Sequence, residues 1–256
     1  MATPTGKFVW YDVMTTDCKA AETFYTRLFG WTASDPGVPD HPYTLLSIAE
    51  TPVAGLMPIP APAAGRPPCW TGYIGVENVD AMCPRLTAAG GTVHRNPEDI
   101  PGVGRFAVVS DPHGAIFILY TQTHEGPGPQ LPPGTPGTVG WHELHSNDWE
   151  RAFGFYSGLF GWTKKDAFDM GPMGTYQIFA TGDGPPAGGM MTRRPEVPSP
   201  FWLYYFNVPA IDDASTRVTT AGGQVLGEPQ QVPGGSWIVQ CTDPQGAMFA
   251  MVAPTR

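Results

Sequence analysis

The sequence predicts an α+β chain assembled from four βαβββ units, two in each half. Three observations predict it. The phrase FYTRLFGW (24–31) returns as FYSGLFGW (155–162), 131 positions on, with six of its eight letters unchanged. SDPHGAIF (110–117) returns as TDPQGAMF (242–249), and AAGGTV (88–93) as TAGGQV (220–225). Single residues keep the same schedule, Trp70 with Trp202, Tyr73 with Tyr205 and Tyr43 with Tyr176, so the likeness runs through whole halves of the chain.

Within a half the elements follow in order. WYDVMTTD reads as a strand ending at Asp17, an N-cap candidate whose carboxylate would accept from the first free amides of a helix. That helix carries Ala21, Phe24, Tyr25, Leu28 and Phe29 on its apolar face. Gly30 closes it, since glycine takes the left-handed conformation at little cost, and Trp31 opens the next strand. YTLLSIA, a turn at Glu50–Pro52 and VAGLM complete the first unit. The second begins at WTGYIGV (70–76), continues through a helix from Asp80 to Ala89 closed by Gly90 and Gly91, and ends in the hairpin RFAVVS-DPHG-AIFILY. There Pro presets one turn angle and Gly takes the other. FYxxLFGW therefore reads as scaffold, a helix end packed by aromatics.

GPGPQLPPGTPG (126–137) can continue neither helix nor strand and reads as a linker. The expected domains are residues 1–125 and 138–256. At 256 residues, with 41% hydrophobic and 12% aromatic residues, each half can bury a core of its own. Charged residues are sparse at 14% and the net charge is −9, which disfavours nucleic acid as a partner and leaves a small neutral or cationic ligand open. No apolar run reaches the length of a bilayer span, and the N-terminal MATPTGKFVWYD lacks the apolar stretch of a secretory signal, so a cytoplasmic protein is expected, as monomer or homodimer. Cys18, Cys69, Cys83 and Cys241 have no CxxC pairing or zinc spacing and read as free thiols.

Four βαβββ units, FYxxLFGW after the first helix and DPxGxxF in the last hairpin resemble the vicinal-oxygen-chelate superfamily, which includes glyoxalase I, extradiol dioxygenases and bleomycin-resistance proteins. The resemblance covers all but the linker. It implies two glyoxalase-like domains with cupped mixed sheets, and in metal-containing members His, Glu or Gln ligands at set places on the concave faces. The first place falls here on Trp10 and Trp141. The second falls in VAGLM (53–57) and AGGMM (187–191), the third on Thr71 and Leu203, the last on Ile118 and Ala250. A divalent ion needs several converging N, O or S donors, and these side chains do not supply them. No metal or other cofactor is therefore expected, and glyoxalase I chemistry is disfavoured.

Strand alternation places Trp10, Asp12 and Met14 on the face that the resemblance assigns to the cavity, with Val9, Tyr11 and Val13 turned to the helices. In the repeat Trp141, Glu143 and His145 share that face, while Gly140, His142 and Leu144 turn away. A carboxylate in an apolar, tryptophan-walled cup has a raised pKa unless a donor satisfies it, and a raised pKa suits a general acid or base near neutral pH. Glu143 with His145 is the first candidate pair and Asp12 the second; a structural role in joining the units fits both carboxylates too. Trp10, Met14, Trp141, Tyr43, Tyr176 and Ile118 are the candidate ligand-binding residues, their rings and sulfur suited to a flat hydrophobic or aromatic molecule. WHELHSND is no HExxH zinc motif, because on a strand His142 and Glu143 point to opposite faces. His113 is expected as an exposed turn residue, and Arg105 as a weak candidate for clamping an anion.

Two functions fit. One is a metal-independent acid–base enzyme of isomerase or lyase type acting on a small hydrophobic or aromatic metabolite. The other is a protein that sequesters a drug or metabolite without converting it. An oxygenase or hydroxylase of secondary metabolism would need a substrate able to react with oxygen by itself.

Overall fold

A computed structural model of the chain describes residues 5–37, 42–123 and 131–256. The first module of the repeat runs β1 (Phe8–Thr15), α1 (Cys18–Phe29), β2 (Thr32–Ser34), β3 (Thr44–Ile48) and β4 (Thr51–Pro58); the second module runs β5 (Cys69–Gly75), α2 (Val79–Ala88), β6 (Thr92–Ile100), β7 (Gly104–Ser110) and β8 (Ile116–Gln122). The third comprises β9 (Val139–Ser146), α3 (Trp149–Phe160), β10 (Trp162–Asp169), β11 (Thr175–Thr181) and β12 (Pro186–Thr192). The fourth comprises β13 (Phe201–Asn207), α4 (Ile211–Thr220), β14 (Gln224–Val225), β15 (Gln230–Gln231), β16 (Trp237–Thr242) and β17 (Met248–Ala253). This is the α+β arrangement of four βαβββ modules that the repeat predicts, with two short strands, β14 and β15, where the second module has the single long β6.

The helices begin and end for local reasons. Asp17 accepts from Ala20 N–H at 3.0 Å, and Asp148 accepts from both Glu150 and Arg151 N–H. Gly30 and Gly161 end α1 and α3 in the left-handed region, at φ 71° and 70°. Helix α2 starts one residue before the expected position because Asn78, whose side chain accepts from Ala81 N–H, is its cap. Residues 126–130 of the expected linker lie outside the described residues; at its end Gly137 N–H donates to Asn207 O at 2.8 Å.

In each half the strands hydrogen-bond in one mixed sheet, ordered β2-β3-β4-β1-β5-β8-β7-β6 and β10-β11-β12-β9-β13-β17-β16-β14. By contacts, however, the chain divides into two compact units that cut across the halves: Met1–Trp10, Gly72–Gly128 and His142–Trp202 form one, and Tyr11–Thr71, Pro129–Trp141 and Leu203–Arg256 the other. The repeated motifs explain that division. In the second unit the Tyr25 hydroxyl donates to Asp243 Oδ2 at 3.0 Å and accepts from Trp70 Nε1 at 2.9 Å. Asp243 Oδ1 in turn accepts from Gln245 and Ala247 N–H, so the helix phrase and the DPxG turn are the two ends of one buried polar chain. In the first unit Tyr156, Asp111 and Trp202 repeat it, with Tyr156 Oη 3.3 Å from Asp111 Oδ2 and 3.1 Å from Trp202 Nε1. Burial pushes both aspartates above the ordinary carboxylate value, and the backbone amides that bind them pull the other way. Around each chain the aromatic rings interlock, Tyr156 stacking on Trp162 at 4.9 Å and Trp162 on Phe179 at 4.4 Å.

Candidate functional site

In the first unit β12 pairs in parallel with β9, setting Gly188 beside His142, Gly189 beside Glu143 and Met191 beside His145. Leu144 is fully buried on one face of β9, while Glu143, 7% exposed, and the half-buried His145 lie on the other. Gly189 has no side chain, and Tyr176 uses that gap: a Cβ there would lie 2.2 Å from the Tyr176 ring. Stretched across the glycine, the Tyr176 hydroxyl donates to Glu143 Oε2 at 2.9 Å. The other oxygen, Oε1, lies 2.7 Å from His145 Nε2. The imidazole is stacked on Phe201, ring centres 4.7 Å apart and planes 2° from parallel. Glu143, His145 and Tyr176, all singled out from sequence, thus meet in one hydrogen-bonded group.

The first half repeats part of this arrangement in the other unit. Asp12 pairs with Gly55, and the Tyr43 hydroxyl donates to Asp12 Oδ1 at 2.6 Å. A Cβ on Gly55 would come within 2.2 Å of the Asp12 carboxylate, so here too the tyrosine crosses a strand at a glycine. Met14, half-buried, stands in the place of His145. Both carboxyl groups are buried, Asp12 at 2% exposure, and each accepts a hydrogen bond from a phenol, as a polar group removed from water requires. The two copies therefore share a tyrosine–carboxylate pair over glycine, and where the second has His145 the first has Met14.

Trp10 in β1 and Trp141 in β9 are half-buried. Ile118 is buried in β8 beside Tyr73 of β5 and Val108 of β7. Thr71, Leu203 and Ala250, at the other family ligand places, are buried as well. Indole and aliphatic side chains offer a divalent cation no lone pair, and the single Thr71 hydroxyl cannot replace several converging donors, so the residues at these places do not fit the metal centre of the metal-dependent members. Among the described residues no group of three or more His, Cys, Asp or Glu could hold a metal ion, and no helix is long and apolar enough to cross a membrane.

His142 takes the face opposite Glu143, as a strand requires. Its Nδ1 lies 2.7 Å from Ala187 O and its ring stacks on Phe8 at 4.1 Å. Burial pulls its pKa down to about 4, so this imidazole is neutral. His113 differs from its expected exposed position: it is half-buried, with Nδ1 2.6 Å from the Ser146 hydroxyl, because the DPHG turn packs against the end of β9. Arg105 is taken up by Asp80, which it binds through two nitrogens, and by Asp99. Sequence reasoning missed Phe201 and the two glycines. Phe201 answers to Cys69 in the repeat and carries no periodic signal, whereas Gly55 and Gly189 stood inside strand patterns, where an isolated glycine signals close approach of another group.

Four βαβββ modules in two glyoxalase-like domains define the fold, and sequence comparison assigns the family. Residues 7–119 and 138–251 both match the Glyoxalase/Bleomycin resistance protein/Dioxygenase superfamily, and the chain belongs to that family. Over 248 residues it is 35% identical to "Putative glyoxylase CFP32" of Mycobacterium tuberculosis, covering 96% of this chain and 94% of that one. It is 35% identical over 263 residues to the anthracycline biosynthesis protein DauV of Streptomyces sp. strain C5, covering 96% and 93%. The fold matches that of a Mn(II)-bound glyoxalase from Novosphingobium aromaticivorans with a TM-score of 0.70 at 16% identity, over 98% of this chain and 83% of that one. It also matches homoprotocatechuate 2,3-dioxygenase from Arthrobacter globiformis, TM-score 0.68 at 14% identity, over 99% and 81%.

Proposed function

We propose that the protein is a metal-independent acid–base enzyme of isomerase or lyase type that acts on a small hydrophobic or aromatic metabolite. One observation carries this reading: a buried carboxylate, Glu143, bonded at 2.7 Å to an imidazole, His145, beside an aromatic ring. Because Tyr176 and His145 occupy both Glu143 oxygens, the imidazole moves the proton, and the carboxylate holds the ring and stabilises its charged form. Phe201, stacked on the His145 imidazole, suits a planar ligand. The place of DauV in anthracycline biosynthesis supports an aromatic substrate as well. A cytoplasmic protein, monomeric or homodimeric, with domains 1–125 and 138–256 and no nucleic-acid or membrane partner, completes the reading.

The test begins with a screen of aromatic metabolites by quenching of tryptophan fluorescence, followed by chromatography, mass spectrometry and ¹H NMR of each tight binder after incubation, because an isomerisation leaves the mass unchanged. Glu143→Gln and His145→Gln are expected to slow conversion by about 10²–10⁴-fold while affinity changes little. Normal turnover in either variant would rule out the pair as the catalytic group. The Asp12–Tyr43 pair, with Met14 in place of histidine, favours a second reading for the first half, binding without conversion. Tight ligands that emerge unaltered would extend that reading to the whole protein.

A further inference from the structure

We infer that Tyr176, seated across Gly189, is a positioning residue that fixes the Glu143 carboxylate and through it holds His145 with Nε2 protonated and Nδ1 as the proton-accepting nitrogen. The reasoning starts from the glycine. In β12 a side chain at 189 would occupy the space of the Tyr176 ring, with a Cβ 2.2 Å from Cζ and 2.3 Å from Oη. Only a bare backbone lets the phenol reach the carboxylate of the neighbouring strand, and Gly55 meets the same requirement for Tyr43. The arrangement recurs in both halves although the carboxylate differs in length, Asp12 in one and Glu143 in the other.

The consequence for the imidazole follows from donors and acceptors. An ionised carboxylate only accepts, so the 2.7 Å contact between Glu143 Oε1 and His145 Nε2 requires the proton on Nε2. A neutral imidazole carries a single N–H, which leaves the lone pair on Nδ1. Tyr176, donating to Oε2 at 2.9 Å, keeps the carboxylate from rotating away, and the Phe201 ring holds the imidazole plane. Tyr176 need not touch the ligand; it acts through Glu143.

This inference rests on the acid–base reading of the site, but its test reads the imidazole and not turnover. Long-range ¹H–¹⁵N correlation spectra of the full-length labelled protein at neutral pH separate the two neutral tautomers, and loss of signals in His145→Gln assigns this residue among the six histidines. The expected wild-type result is the Nε2–H form in excess of about tenfold, as a charge-assisted hydrogen bond demands. Tyr176→Phe removes the donor, and Gly189→Ala displaces the ring while keeping the phenol; each is expected to bring the ratio to within about threefold. Tyr120→Phe, whose hydroxyl donates to Val103 O elsewhere in the same unit, should leave it unchanged. A wild-type imidazole protonated on Nδ1 would overturn the inference even if no variant folded. So would an unaltered tautomer ratio in whichever of Tyr176→Phe and Gly189→Ala is folded, or an equal change in Tyr120→Phe. A fixed tautomer in a protein that converts no ligand would uphold the inference and remove the catalytic reading.

Discussion

Replacing Tyr25 by Phe removes one oxygen atom and leaves the ring, which packs edge-on against Trp70 at 5.2 Å and Phe249 at 5.9 Å, in place. That oxygen links three modules through two hydrogen bonds, accepting from Trp70 Nε1 and donating to Asp243 Oδ2. Without it the Trp70 N–H is a buried donor lacking its acceptor, at a cost of about 1–3 kcal/mol, and the Asp243 carboxylate loses a bond of about 1.5–3 kcal/mol. The loss should therefore be about 4 kcal/mol, or on the order of 10 °C in Tm for a chain of this size. Urea unfolding gives the free energy, and a double-mutant cycle with Asp243→Asn gives the coupling, expected to exceed about 1 kcal/mol because the two groups are in contact. Tyr156→Phe makes the same deletion in the other unit, where the bonds are longer, and should cost less. Burial already raises the Asp243 pKa, and loss of the phenol donor should raise it further. A carboxyl whose folded pKa lies above its unfolded one takes up protons on folding, so the deficit of the variant should shrink as pH falls through that interval. A loss below about 1 kcal/mol, or additivity within about 0.5 kcal/mol, would refute the claim that these chains tie together the modules of each unit.

Other outcomes follow from the same structure. His142, with its pKa pulled from 6.5 to about 4, is neutral when folded and takes up a proton on unfolding, so its contribution is complete above pH 6.5 and is lost as pH falls through 4. Between neutrality and pH 4 that amounts to about 3 kcal/mol, and His142→Phe should flatten this part of the stability curve in denaturant titrations at several pH values. Gly154 is exposed within α3 with nothing within 4 Å of its absent Cβ, so Gly154→Ala should stabilise by about 1 kcal/mol, whereas Gly188→Ala would press a Cβ to 2.1 Å from His142 O and destabilise. Thermal melts of the two variants should move in opposite directions. Because indole and aliphatic groups, with the single hydroxyl of Thr71, stand at the family's ligand places, elemental analysis after dialysis should find well under one Zn, Ni or Fe per chain, and EDTA should leave ligand binding unchanged; one tightly retained metal per chain would contradict this.

The sequence by itself determined the modules and their order. Capping residues, closing glycines and repeated phrases act over a few neighbours, so Asp17, Gly30, Asp148 and Gly161 could be read directly, and strand alternation put Glu143 and His145 on one face of β9 and Asp12 at the matching position of β1. What alternation could not supply was partnership. Tyr43 and Tyr176 were legible as members of the repeat, but that each crosses a glycine to grip a carboxylate depends on the pairing of β4 with β1 and of β12 with β9. The phrase FYxxLFGW was legible as scaffold, yet Tyr25 meets Asp243, 218 residues on, and Tyr156 meets Asp111, 45 residues back, only once the chain has folded. Short-range rules fix what a residue's own backbone does; which side chains share a buried hydrogen bond is set by strand register and by the need to satisfy every polar group removed from water, and those are decided by the tertiary structure alone.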